Sequence, residues 1–153
     1  MFFNDGKLEK KAKELSDMGE KIIALQQDLK TNRDIISIMF DHVPALIFFK
    51  DKENRIININ QYGVELHGVS KEEILGYGWK DALSEEEAER YYQNDLEVMR
   101  QGKPKKCIIE PLYNDPNRIF LTHKLPVTRN GEIIGVLGFS TEITKPLAEM
   151  GNE

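Results

Sequence analysis

A chain of 153 residues with 40% apolar and 31% charged side chains can bury one core and is no disordered tail. A formal charge of −5 argues against DNA or RNA as the main partner, because nucleic acid asks for a basic surface. No apolar run nears the roughly 20 residues of a membrane span, the first residues lack a signal peptide's basic start and apolar core, and the single cysteine, Cys107, excludes an internal disulfide, so the cytoplasm is the expected compartment.

Residues 8 to 39 carry a heptad. Leu8, Leu15, Ile22, Leu29 and Ile36 recur every seven positions, and Lys11, Met18, Leu25, Asn32 and Met39 fill the companion set. Eight of these ten are apolar, which is the stripe of a coiled coil. Residues 1–40 hold seven basic and seven acidic side chains, so self-pairing meets little repulsion. A single amphipathic helix lying on its own domain is the other reading of this stripe.

Pro44 drives Val43 out of the helical region and ends the helix. Ala45 to Lys50 then reads as a buried strand, Asp51 to Asn54 as a polar turn, and Arg55 to Asn60 as the second arm of a hairpin. Helices follow. Gln61 to His67 stops at Gly68. Ser70-Lys71-Glu72-Glu73 has the form of a capping box, with Gly76 ending that helix. Ser84-Glu85-Glu86-Glu87 repeats the device and opens a helix to about Gln101, with Tyr92, Leu96 and Met99 on its apolar face.

The last third is sheet. Lys105 to Tyr113 forms a strand in which Pro111 marks an edge or bulge. Asn114 to Asn117 is a turn. Arg118 to Thr128 alternates, with Ile119, Leu121, His123 and Leu125 on one face and Phe120, Thr122 and Lys124 on the other. Asn130-Gly131 is a tight-hairpin signal, and Ile133 to Phe139 is a strand whose two glycines suit burial on both faces. The order implies an α+β fold with one antiparallel sheet and its helices grouped in the middle.

Three pieces in this order carry a resemblance to the PAS sensor domain. They are Pro44-Ala45 through Asn54-Arg55-Ile56, Gly68-Val69-Ser70-Lys71-Glu72-Glu73-Ile74-Leu75-Gly76, and Asn130-Gly131-Glu132 through Glu142-Ile143-Thr144. Val69 stands where the family has an aromatic residue, and Glu142 where it has aspartate. The resemblance implies a five-stranded antiparallel sheet of order 2-1-5-4-3, with helices grouped between strands 2 and 3 and a long amphipathic N-terminal helix in front. It places a dimerisation helix at 1–43, the PAS domain at 44–145 and the start of an output linker at 146–153.

The same resemblance implies a pocket between sheet and helices for a small ligand or cofactor. Alternation and family geometry nominate Ile47, Phe49, Trp79, Tyr92, Leu96, Ile109, Leu121 and His123 as its lining, although ordinary core packing accounts for each equally well. Glu142, Ile143 and Thr144 become the signal-relay exit, with any family salt bridge there in doubt because glutamate is longer by one methylene. Haem is disfavoured, since residues 84–101 hold no histidine to ligate iron. Photoactive flavin is disfavoured too, because residues 78–83 lack the reactive cysteine of the light-sensing branch. No cysteine or histidine spacing suggests a metal, and no constellation suggests catalysis. The expectation is a cytoplasmic sensor without enzyme activity of its own. It would be a homodimer through Leu8, Leu15, Met18, Ile22, Leu25, Leu29, Ile36 and Met39, joined to a downstream output domain such as a histidine kinase or diguanylate cyclase. The competing reading is a ligand-free adaptor for dimerisation or protein contact.

Overall fold

The computed structural model describes residues 5–78, 84–112, 114–145 and 150. Trp79 and Tyr113 lie outside them. The chain divides into two units, residues 1–39 and 40–153.

Helix α1 (Asp5–His42) has no buried residue. The eight apolar heptad positions named above are exposed over 52–67% of their surface. The remaining elements are β1 (Leu46–Asp51), β2 (Ile56–Ile59), α2 (Gln61–His67), α3 (Lys71–Ile74), α4 (Glu85–Gln101), β3 (Lys105–Leu112), β4 (Asp115–Arg129) and β5 (Glu132–Glu142). The sheet is antiparallel, in the order β2-β1-β5-β4-β3. This is the expected topology, with the helices between the second and third strands.

Local chemistry explains the joints. Asn54 takes a left-handed φ of 63° at the β1–β2 turn, and Asn130 and Gly131 take 53° and 80° at the β4–β5 turn. Ser70 and Glu73 form the reciprocal capping box of α3. Helix α3 ends at Ile74 with Leu75 as its C-cap, and Gly76, at a left-handed φ of 85°, turns the chain away as expected. Gly68 closes α2 and Gly102 follows α4, both left-handed.

Asn60 does more than end a strand. It is fully buried, and its Nδ2 donates to the carbonyls of Ala45 at 2.8 Å and Phe40 at 3.2 Å. Its Oδ1 accepts from the backbone of Ile47 at 3.0 Å and Gly63 at 3.2 Å. One amide therefore caps α2 and ties down the chain that enters β1, with its hydrogen-bonding capacity used inside the protein.

Two strand boundaries differ from expectation. Strand β4 starts at Asp115, so the turn before it is shorter than Asn114–Asn117. Strand β3 has the irregularity expected beside Pro111 and a second one between Lys105 and Ile108, where Cys107 adopts a φ of 58° and is exposed. On α4 the buried positions are Ala88, Tyr91, Asp95 and Val98, while Tyr92, Leu96 and Met99 are half-buried beside them. The spacing was right and the register was one residue off, because a charged residue occupies the stripe.

Strand β5 pairs with β1 on one side and β4 on the other. Its glycines are required by that position. A Cβ at Gly138 would lie 2.0 Å from the Phe48 ring, and one at Gly135 only 1.9 Å from the Lys50 carbonyl oxygen. Backbone yields less readily than a ring. Gly135→Ala should therefore destabilise the fold by about 1–3 kcal/mol or more, measured as a lower urea midpoint with an unchanged slope.

Candidate functional site

Strand β1 turns Leu46, Phe48 and Lys50 towards the core. A lysine ending an apolar strand reads as a solvated cap, yet Lys50 is 0% exposed. Strand β4 buries Phe120, Thr122 and Lys124 on the same side, and α4 buries Asp95. Asp95 joins the three elements. Its Oδ2 accepts from Lys50 Nζ, and its Oδ1 accepts from Lys124 Nζ at 2.7 Å. Lys124 Nζ also donates to the Tyr91 carbonyl at 3.3 Å. The ammonium groups lie 5.2 Å from the centre of the Phe48 ring and 5.6 Å from that of Tyr91.

Two cations share one carboxylate without solvent, so the environment suppresses charge. Burial, aided by repulsion from Lys124, lowers Lys50 to about 7 despite the attraction of Asp95. Glu110 on β3 is raised by burial, opposed by Lys124 and by a hydrogen bond with Thr122. Thr122 and Ser140 face each other across β4 and β5, their hydroxyls 2.8 Å apart.

A cavity of about 40 Å³ lies over this polar band. Glu110, Thr122, Lys124 and Ser140 form its polar wall, and Leu46, Phe48, Leu66, Tyr91 and Phe120 its apolar wall. His67 also borders it; Nδ1 donates to the Gly63 carbonyl at 2.7 Å, and burial lowers its pKa. That volume admits a few waters or a ligand on the order of three to six heavy atoms. Among the described residues, no group of three His, Cys, Asp or Glu side chains is placed to hold a metal.

Of the residues nominated from sequence, Ile47, Phe49, Tyr92, Leu96, Ile109, Leu121 and His123 do not border this cavity, and Trp79 lies outside the described residues. Ile47 and His123 both pair with Phe139, and Phe49 with Leu137, so they share the opposite sheet face. Leu121 and Ile109 pair directly and belong to it as well. His123 instead receives the backbone N–H of Cys107 on Nδ1 at 3.4 Å and tilts against Phe139. The correction has a physical cause. Both sheet faces are partly apolar, and on β4 the face towards the helices is the more polar one. Alternation therefore pointed outward, and Lys50, Asp95, Lys124 and Glu110 were missed. Their one signal was a charge set inside each apolar pattern.

The exit residues come together. Arg118 holds Glu142 through two bonds, Nε to Oε1 at 3.0 Å and Nη2 to Oε2 at 2.7 Å. The salt bridge placed in doubt by the longer side chain is formed. Thr144 Oγ1 donates to Glu142 at 3.1 Å and accepts from the Ile119 N–H at 2.8 Å, and Ile143 N–H donates to the Ile119 carbonyl at 2.8 Å. The end of β5 is thus pinned to the start of β4. The Arg118 hydrogen bonds hold Glu142 below the usual carboxylate range.

A family model described as PAS fold matches residues 40–147. Among solved structures, a Vibrio cholerae VqmA dimer is 23% identical with a TM-score of 0.64, covering 74% of this chain and 52% of that one. VqmA bound to DPO is 22% identical with a TM-score of 0.61, covering 71% and 56%. The PAS domain of Bordetella pertussis BvgS is 18% identical with a TM-score of 0.63, covering 83% and 96%. The chain spans about half the length of the VqmA chains it matches. No curated protein matches it. At these identities the likenesses establish the fold.

Two predictions test the charges. Asp95→Asn leaves two buried ammonium groups without their counter-ion and should cost about 3–5 kcal/mol, whereas Lys50→Met alone should be neutral or stabilising. Adding Lys50→Met to Asp95→Asn should recover part of the loss, read by urea unfolding as a double-mutant cycle. Since the folded Lys50 pKa lies below its unfolded value, folding releases its proton between about pH 7 and the ordinary lysine range. Its contribution to stability therefore rises with pH there. Glu142 has a dependence of the same sign in the acid range. Its depressed pKa stabilises the fold above the unfolded glutamate value and ceases to do so as pH falls through the folded one. Both partners are about one-third exposed, and solvent screening keeps the effect below about 1 kcal/mol. Thermal melts of Glu142→Gln between pH 7 and pH 3 should converge on those of the parent at the acid end.

Proposed function

The chain belongs to the PAS-fold family, and from that premise we propose that it is a signal-sensing module that takes a small molecule into the cavity between the sheet and α4. The observation that supports this most is the Asp95 junction. A ligand in the cavity borders Lys124 directly, and Lys124 shares its carboxylate with Lys50. Occupancy therefore bears on β1, β4 and α4 together. Arg118 and Glu142 of the latch lie on the same two strands that carry Lys124 and Ser140, with Thr144 just beyond β5, so β4 and β5 lead from cavity to exit.

The second half of the proposal is a homodimer through α1. Eight exposed apolar side chains at heptad positions are a surface that a second helix can cover. Ligand binding would then select between two coiled-coil arrangements, by no more than its difference in affinity for them. The VqmA dimer is described in the absence of its target DNA and as bearing on the DNA-binding mechanisms of LuxR-type receptors, and BvgS contributes a PAS domain. A transcription-regulating output therefore stands beside the kinase and the cyclase as a fate for this signal. No helix among the described residues is long and apolar enough to cross a membrane. The second reading, a ligand-free adaptor, draws its support from the small size of the cavity.

Sedimentation equilibrium at tens of micromolar should show a dimer for the parent chain and a monomer for Ile22→Asp/Leu29→Asp. A monomeric parent would remove the dimer from the proposal. Native mass spectrometry of the same sample separates sensor from adaptor by the presence or absence of a bound small molecule.

A further inference from the structure

We propose that α1 pairs with the α1 of a second copy in parallel and without stagger, and that Asn32 fixes this alignment by bonding to the partner's Asn32. The alignment presupposes the α1 dimer proposed above and sets how its two helices meet.

The seam has two unlike rows. One holds Leu8, Leu15, Ile22, Leu29 and Ile36 and is apolar throughout. The other holds Met18, Leu25 and Met39, interrupted by Lys11 and Asn32. All ten lie on the one helix Asp5–His42, where Asn32 is exposed like the apolar positions around it. A helix that covers this stripe also covers the Asn32 amide, and a buried amide without a hydrogen-bond partner is costly.

What Asn32 meets depends on orientation. In an antiparallel coiled coil the first row of one helix packs against the second row of the other. Every residue of the first row is aliphatic, so Asn32 faces carbon in each antiparallel register. At full overlap it meets the partner's Leu15, and one heptad to either side it meets the partner's Leu8 or the partner's Ile22. The mismatch occurs twice in each dimer by symmetry. In a parallel pair like rows meet. With a stagger of one heptad Asn32 faces the partner's Leu25 or the partner's Met39. Only the parallel pair without stagger brings the two amides together, and each then offers the other both a donor and an acceptor.

The remaining polar positions are compatible with this alignment. The two Lys11 stems can lie along the seam while their ammonium groups reach solvent near the start of the helix. The parallel pair sets Asp28 against the partner's Arg33, and full antiparallel overlap sets Lys21 against the partner's Asp28, so flanking charge favours neither direction. The two rows decide it. A signal carried through such a seam cannot slide one helix by a heptad without unpairing Asn32.

The test uses two full-length chains, both Cys107→Ser, one with Met18→Cys and the other with Leu29→Cys. They are mixed in equal amounts in a glutathione redox buffer, and disulfide-linked dimers are identified by mass. Parallel helices without stagger place each new thiol beside its own copy, so self-linked dimers should exceed mixed ones about tenfold or more. Full antiparallel overlap would place position 18 beside position 29, and mixed dimers would dominate. Adding Asn32→Leu to both chains should tighten self-association and lower the ratio of self-linked to mixed dimers about threefold or more. Mixed dimers in excess, or a ratio that Asn32→Leu leaves unchanged, overturns this inference and leaves the α1 dimer standing. So does the absence of linked dimers in a sample that sediments as a dimer. A parent chain that sediments as a monomer removes both.

Discussion

The aspartate on α4 that receives two lysines from two strands is the constraint on which this domain depends. A helix laid on a sheet is ordinarily held by apolar contact, which fixes distance better than direction. Here two ammonium groups reach one carboxylate from β1 and β4 and select one placement of α4 over the sheet. Such an arrangement adds little net stability, because desolvation consumes most of the Coulomb attraction. What it adds is coupling between elements. The placement of the helix is tied through Asp95 to the charges on two strands of the sheet.

The rest of the unit protects that junction. Glycines at 135 and 138 let β5 run between β1 and β4 without side chains that would push the lysine-bearing strands apart. Asn60 fixes the start of β1 and the N-terminus of α2 with one buried amide. At the far end, Arg118 and Glu142 close β4 onto β5. Entry, floor and exit of the domain are each secured by polar groups, with apolar packing around Phe48, Ile59 and Ile74 between them.

How much of this could be read beforehand depended on the kind of signal. Turn chemistry was legible because backbone requirements are local. Asn54, Gly68, Ser70 with Glu73, and Asn130-Gly131 marked joints that the chain uses. Topology followed from these joints and from the family resemblance. The cavity was not legible, since alternation separates two faces and does not say which one meets the helices. On β4 the apolar set, Ile119, Leu121, His123 and Leu125, is the outer one. The inward set includes a lysine whose counter-ion is 29 residues away in sequence. Pairings of that range leave no local trace. Asp95 shifted the apparent apolar stripe of α4 by one residue for the same reason.

Cys107 sits at the left-handed bulge of β3, exposed, and is the single thiol of the chain. The bulge takes it out of the regular pairing of β3 with β4, so a group attached there has room without breaking the ladder beside it. The molecule thus comes with one natural handle for a spin label or fluorophore, two residues after Lys105, which is itself bonded to Asn94 and Glu97 of α4. Movements of that helix relative to the sheet edge are open to direct spectroscopic observation in the unaltered sequence.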